Sequence, residues 1–246
     1  MALTDYKTAL VTGASSGIGE ATVRALSERG IQVYAAARRK EKLDLLASKT
    51  GLIPVGLDVL DKDAIYSTLN DLEIDILVNN AGLGKGFEAV FEANPDDIQT
   101  TLETNVIGAA HIICAVGAGM VKRNRGHVVN IGSVAGLYPI NSSVYGSSKM
   151  AIHSMSQNLR IELKGTRIRV TEISPDRVAT NFFNIAVNDP KKSVKAFEDF
   201  EALTSEDILG AIMYAVDAPW RVNIVTIELS PTKQTFGGMK INPAPE

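Results

Sequence analysis

The chain carries 246 residues, 45% of them hydrophobic and 22% charged, with a formal net charge of −3. This length buries a core of several layers and fits one domain better than two, and the near-average composition excludes disorder, collagen and disulfide-rich scaffolds. The acidic balance offers no attraction to phosphate backbones, which argues against a nucleic-acid partner, and a lone cysteine, Cys114, excludes an internal disulfide and a thiolate metal cluster.

Residues 8–12 read as a first strand and 17–29 as a helix closed by Gly30, a residue suited to the turn that follows a helix. A strand over 31–37, a helix over 40–48, a strand over 53–57, a helix over 61–72 and a strand over 75–79 follow. After a loop at 81–86, Pro95 opens helical territory that runs with interruptions to Arg123. A strand over 127–131, a long helix over 144–163, a strand over 167–173, a helix over 205–217 stopped by Pro219, and a strand over 224–229 complete the series. Strands that are apolar on both faces and separated by helices predict a doubly wound α/β fold of Rossmann type. Its mostly parallel seven-stranded sheet carries helices on both faces. The stretch 181–204, with Phe182, Phe183, Phe197 and Phe200, is expected to be a lid over a site. Residues 230–246, with Pro231, Pro243 and Pro245, are expected to form an extended tail. His111, His127 and His153 follow no metal-ligand spacing, so no metal site is expected. The N-terminus carries Asp5 and does not read as a signal peptide. The uncharged run 105–121 is shorter than the ~20 residues of a membrane span, so a soluble cytoplasmic protein is expected.

Thr12-Gly13-Ala14-Ser15-Ser16-Gly17-Ile18-Gly19 joins the first strand to the first helix. Gly13 suits a sharp turn, Gly17 a close backbone approach to a pyrophosphate, and Gly19 close packing of helix on strand. The free N–H groups and positive dipole end of the helix face the same point. Gly19-Glu20 lacks the Lys-Ser/Thr ending of a P-loop. The second strand ends at Ala37, with no carboxylate for a ribose 2′-hydroxyl, and Arg38 and Arg39 follow. A guanidinium there suits a 2′-phosphate, so NADP(H) is expected rather than NAD(H), with Arg38 as the main contact and Arg39 on the rim.

Tyr145 and Lys149 stand four residues apart near the start of a helix and share one face. A phenol ordinarily titrates at about 10. The lysine ammonium and a nicotinamide cation are both expected to lower that value, fitting Tyr145 to exchange a proton with a carbonyl/alcohol pair. Ser133 follows the fifth strand, Asn79-Asn80-Ala81-Gly82 ends the fourth, and Asp58-Val59 ends the third, all at the carboxyl edge where open α/β sheets bind ligands.

Thr12–Gly19, Asp58, Asn79–Gly82, Asn105, Ser133, Tyr145-x-x-x-Lys149 and Pro175–Thr180 together resemble the short-chain dehydrogenase/reductase family over essentially the whole chain. The resemblance implies a tetrad. Tyr145 would be acid/base, Ser133 would orient the carbonyl, Lys149 would bind the nicotinamide ribose and tune Tyr145, and Asn105 would hold a water in a proton relay. It also implies cofactor contacts at Gly13, Ser15, Ser16, Gly17, Ile18 and Gly19, at Arg38 and Arg39, and at Asp58 and Val59 beside the adenine. Asn80, Ala81 and Gly82 would line the adenosine half, and Pro175, Val178 and Thr180 the nicotinamide. Within the family the chain is similar to the NADP-dependent 3-hydroxy acid and serine dehydrogenase group. A small-molecule substrate and a homotetramer or homodimer, with interfaces along 105–121 and the helix from 144, are implied with it. Three departures concern the substrate. Asp176 stands where the family carries glycine, and is expected in a turn conformation glycine would accept, paired with Arg177. Ile140-Asn141-Ser142-Ser143 replaces a small glycine-containing stretch, and Ala186 lies near the subgroup's arginine. A carboxylate substrate would then meet Arg177, Lys191, Lys192 or Lys195. A neutral, bulkier ketone, aldehyde or sugar is one alternative, and a non-catalytic protein that senses NADP on the same fold is another.

Overall fold

The structure, a computed structural model, describes residues 2–182 and 201–234. Its strands are β1 (Thr8–Thr12), β2 (Gln32–Ala37), β3 (Ile53–Gly56), β4 (Ile76–Asn79), β5 (Gly126–Ile131), β6 (Ile168–Pro175) and β7 (Thr226–Leu229). The helices are α1 (Gly17–Glu28), α2 (Lys40–Thr50), α3 (Lys62–Leu69), α4 (Pro95–Leu102), α5 (Ala109–Arg123), α6 (Ser143–Glu162) and α7 (Ser205–Asp217). The strands form one sheet in the order β3-β2-β1-β4-β5-β6-β7. Every ladder is parallel, so the sheet is wholly rather than mostly parallel.

Alternation along each strand sorts the core into two layers. Ala9, Val11, Ile76 and Val78 point to one face, where they pack with Val23 and Leu26 of α1, Leu43 of α2 and Ile208 and Ile212 of α7. Leu10, Leu77, Val128 and Val170 point to the other, against Ile65 of α3 and Ile112, Val116 and Met120 of α5. Burial on both sides explains why the strands read as continuous apolar runs.

The helical territory from Pro95 is continuous: the six residues Glu103–Gly108 form a π-helical segment that joins α4 to α5 without a break. The wider turn presses Gly108 against the loop after β3, where a Cβ would stand 2.6 Å from the Val59 carbonyl. The combined helix Pro95–Arg123 is apolar and long enough to pass as a membrane span by composition. Half of its most apolar stretch is buried inside the protein, where Ile112, Val116 and Met120 pack against the sheet.

At the opposite edge the chain spends one buried cation on a helix end. Arg169 of β6, 3% exposed, donates to the carbonyls of Ala215, Val216 and Ala218 at 3.1, 2.7 and 3.0 Å and to the Tyr6 hydroxyl at 3.2 Å. These carbonyls close α7 and have no partner within the helix. Arg169→Met would strand them in the core and is expected to cost about 3 kcal/mol. For a chain of this size that lowers the Tm by roughly 6–12 °C. A thermal melt within about 2 °C of wild type would mean that the apolar face alone holds α7.

Candidate active site

The topology changes direction between β1 and β4, so the loops leaving their carboxyl ends diverge and open a crevice. Thr12 closes the bottom of it. Its hydroxyl accepts from the Asn80 and Ala81 N–H groups, both at 2.9 Å, while Asn80 Nδ2 returns a bond to the Thr12 carbonyl at 2.8 Å. The glycines are shaped around this joint. Gly13 and Gly17 have φ of 64° and 57°, a left-handed backbone that side chains disfavour. A Cβ at Gly13 would lie 2.8 Å from Asn80 Nδ2, and one at Gly19 would collide with the Gly13 carbonyl. Gly19 is therefore needed by the loop itself more than by packing of helix on strand. Ser16 begins α1 without a side-chain cap, which leaves the first N–H groups of that helix open toward the crevice. A cradle of this form fits a pyrophosphate.

The crevice continues as a cavity of about 560 Å³ that gathers residues from the loops after β1 to β6. Gly13, Ser15, Ser16, Gly17 and Ile18 line one part, Arg38, Arg39, Asp58 and Val59 another, and Asn80, Ala81 and Gly82 the floor. Ser133, Tyr145, Lys149, Pro175, Val178 and Thr180 line the far end. Of the expected residues only Gly19 and Asn105 are outside the lining, both in contact with residues that belong to it. Arg38 is exposed at the rim. Arg39 is exposed as well, and its guanidinium donates to the hydroxyls of Ser15 and Ser16 at 2.9 and 3.1 Å.

Ser133 opens a short turn, Val134–Gly136, and its Oγ accepts from the Ala135 N–H at 3.1 Å. That leaves its proton for the Tyr145 phenol, a bond that favours phenolate. Burial outweighs it. Tyr145 is 7% exposed, and loss of solvent pushes its phenol up to about 12, helped by the charge of Asp176. The expected lowering by Lys149 does not appear: the ammonium lies 6.0 Å from the phenol ring centre, and desolvation dominates. Lys149 is buried as well, and desolvation brings its amine down to about 8 against the opposing charge of Glu172. Its Nζ donates to the Ile131 carbonyl at 2.9 Å. Asn105, in the π-helical segment, accepts from the Leu83 N–H at 2.9 Å and donates to the Leu83 carbonyl and Ser148 Oγ at 2.8 and 3.0 Å. Its amide fixes the loop after β4 above α6.

Several participants were invisible in the sequence. Phe87 and Phe182 flank the Tyr145 ring at centroid distances of 5.1 and 5.5 Å. Phe182 belongs to the expected lid, but Phe87 sits in an aperiodic loop that carries no signal. The Thr12 hydroxyl is equally hidden, because threonine is common in strands for other reasons. Asp176 departs from expectation: among the described residues Asn124 alone, not Asp176, takes a positive φ outside glycine. The Asp176 N–H donates to the Leu229 carbonyl at 2.8 Å, which carries the β6–β7 pairing just past Pro175 and into a bend of ordinary φ. Its carboxyl accepts from Gln234 and Ser230 and feels the Arg177 charge, while burial raises its pKa. The start of the expected extended tail therefore folds back: the Gln234 N–H donates to the Pro231 carbonyl at 2.9 Å. Phe183, Phe197, Phe200, Ala186, Lys191, Lys192 and Lys195 lie outside the described residues, as does the tail beyond Gln234.

Comparison with known proteins gives the same picture. The NADP-dependent 3-hydroxy acid dehydrogenase YdfG of Salmonella typhi is 41% identical over 95% of this chain and 98% of its own length. The protein of that name from Escherichia coli K12 is 40% identical over the same shares. A structure described as the closed form of serine dehydrogenase complexed with NADP+ superposes with a TM-score of 0.91 at 40% identity, covering 96% of this chain and 99% of that one. The serine dehydrogenase of Escherichia coli gives 0.81 at 38% identity, over 93% of this chain and 100% of that one. The family profile described as short chain dehydrogenase matches residues 7–191, and with relatives this similar over nearly their full length the chain belongs to the short-chain dehydrogenase/reductase family.

Proposed function

We propose that this protein is an NADP(H)-dependent oxidoreductase that interconverts a small alcohol, a 3-hydroxy acid or a related compound, with its carbonyl form. The observation that carries the proposal is the meeting of Ser133, Tyr145 and Lys149 in one cavity with the uncapped start of α1. The names of the relatives, NADP-dependent 3-hydroxy acid dehydrogenase and serine dehydrogenase, support the cofactor and the substrate class.

Gly13 to Gly19 and the first N–H groups of α1 would hold the pyrophosphate, and Asn80 to Gly82 with Asp58 and Val59 the adenosine. Pro175, Val178 and Thr180 would meet the nicotinamide. When bound, the nicotinamide gives or accepts the hydride. Tyr145, whose phenol burial keeps protonated, donates its proton to the substrate carbonyl oxygen. Ser133 orients that oxygen through its hydroxyl. Lys149 holds the nicotinamide ribose and, as a cation, steadies charge that develops on the phenol. Asn105 supports the relay that returns a proton by holding the loop at Leu83 against α6. Arg39, lying on Ser15 and Ser16, and Arg38 beside it suit a 2′-phosphate. Exposed Ile107 and Val121 on the long helix, with Met150 and Ile161 on α6, support a homotetramer or homodimer. The protein would work in the cytoplasm, on a small molecule, without nucleic acid or membrane. One observation favours the neutral, bulkier substrate as a second reading: Phe87, Phe182 and Asp176 surround the phenol with two rings and a carboxylate.

Tyr145→Phe removes the transferable proton and little else, so turnover should fall by about 10²–10⁴-fold while NADPH still binds. Wild-type rates in this variant would refute the mechanism. The second expectation concerns the cofactor. Arg38→Ala and Arg39→Ala should each raise the KM for NADPH by about 10-fold or more and leave that for NADH nearly unchanged, because each removes one charge-assisted bond. A wild-type preference for NADH in kcat/KM would assign the basic turn to solvent.

A further inference from the structure

Beneath the catalytic residues lies a carboxylate that the proposed reaction does not use. Glu172 of β6 is fully buried, where an unmatched charge is costly. Its Oε2 pairs with His153 Nδ1 at 2.6 Å, and its Oε1 accepts from the Ser174 hydroxyl at 2.9 Å. Gly132 makes room for it, since a Cβ there would collide with Glu172 Oε1. That glycine sits between Ser133 and Ile131, whose carbonyl receives Lys149. The carboxylate thus lies directly under the backbone that seats both Ser133 and Lys149.

Helix α6 aligns with this arrangement. Tyr145, Lys149, His153 and Gln157 recur every four residues and form one row down its face. His153 Nε2 meets Gln157 Nε2 at 2.8 Å. The His153 side chain is 24% exposed and that of Glu172 1%, so the row runs from the buried phenol to the solvent edge. The neighbouring elements complete the charge inventory. β7 presents Glu228, which accepts from the Tyr138 hydroxyl at 2.9 Å, and the residue after β6, Asp176, acts on Tyr145. β5 and the π-helical segment present the uncharged amides Asn130 and Asn105 to α6.

We propose that Glu172, held by His153 and Ser174, is a positioning residue that supplies Lys149 with its counter-charge beneath the cavity. The proposal rests on the reading of Lys149 as a cation working beside Tyr145. Burial favours the neutral amine, and Glu172 opposes it. Without that charge a neutral Lys149 could still donate an N–H to Ile131, but it would no longer place a positive field beside the phenol. The sign follows: removing the carboxylate lowers the pH at which Lys149 loses its proton.

The test is the titration of Lys149 in the cofactor-free protein, followed by NMR of isotope-labelled lysine, with Lys149→Arg identifying the signal. Glu172→Gln keeps the shape while replacing one carboxylate acceptor by an amide donor, and is expected to move the titration down by about one pH unit. Glu172→Asp, which draws the carboxylate back from α6, should move it less and in the same direction, and carries the test alone if the Gln variant does not fold. The alkaline limb of NADPH-linked kcat should move with it. A titration that stays in place or rises in the folded variants overturns the proposal, even where the Tm falls, because Glu172 would then only pack. A downward shift supports the coupling of Glu172 to Lys149, and does so even if no carbonyl compound is turned over. That second result would count against the oxidoreductase reading alone.

Discussion

The joint between Thr12 and Asn80 is the constraint on which the site depends. Two parallel strands that lead their loops in opposite directions would leave unpaired backbone at the sheet's carboxyl edge, and buried orphan groups are costly. Here the Thr12 hydroxyl takes two N–H groups from the loop after β4, and the Asn80 side chain takes the carbonyl at the end of β1. With these groups satisfied between the two loops, the N–H groups at the start of α1 are left without a protein cap. The same joint fixes the shapes of Gly13 and Gly19, which have no space for a side chain. The helix end is thus the part of this joint left to accept an anion, and its form fits a pyrophosphate.

The second fixed element, α6, sets chemistry through burial. Burial acts on Tyr145 and Lys149 in opposite senses, since in each case it favours the neutral form: the phenol is pushed up to about 12 and the amine down to about 8. A neutral phenol is a proton donor, which suits reduction of a carbonyl. The reverse direction needs a cation near the phenol, and that makes the charge state of Lys149 the more sensitive of the two. The opposing charge of Glu172 acts in the sense that keeps Lys149 protonated.

The fold was legible because sheet burial on both faces writes itself into the sequence as short apolar runs, and helix ends as residues such as Gly30 and Pro219. The cradle and the Tyr145–Lys149 pair were legible because backbone conformation and helical spacing restrict residue choice locally. What was not legible depends on contacts between distant segments. The positive φ expected for Asp176 failed because β7 pairs with its backbone, and nothing near Asp176 in the sequence announces that pairing. The lowered phenol failed for a related reason: the spacing of Tyr145 and Lys149 is local, but the solvent excluded by Phe87 and Phe182 is not. The bonds from Arg39 to Ser15 and Ser16 turn on one side-chain direction, which neighbouring residues in a sequence cannot fix.

The two ends of the cavity therefore differ in what they offer a ligand. Arg39 already rests on the two serines of the cradle, so the cationic side of the cofactor site is formed in the protein alone and a 2′-phosphate would meet a guanidinium already in place. Asp176 lies at the other end, where the carboxylate acts on the phenol and is tied to Ser230 and Gln234 at the beginning of the C-terminal segment. A substrate carboxylate entering there would face that charge as well as the Arg177 cation beside it, and its net attraction would be the small difference between them. Specificity for an acid then depends on where within the cavity its charged end lies relative to these two neighbours, whereas a substrate without charge would be selected by the rings of Phe87 and Phe182.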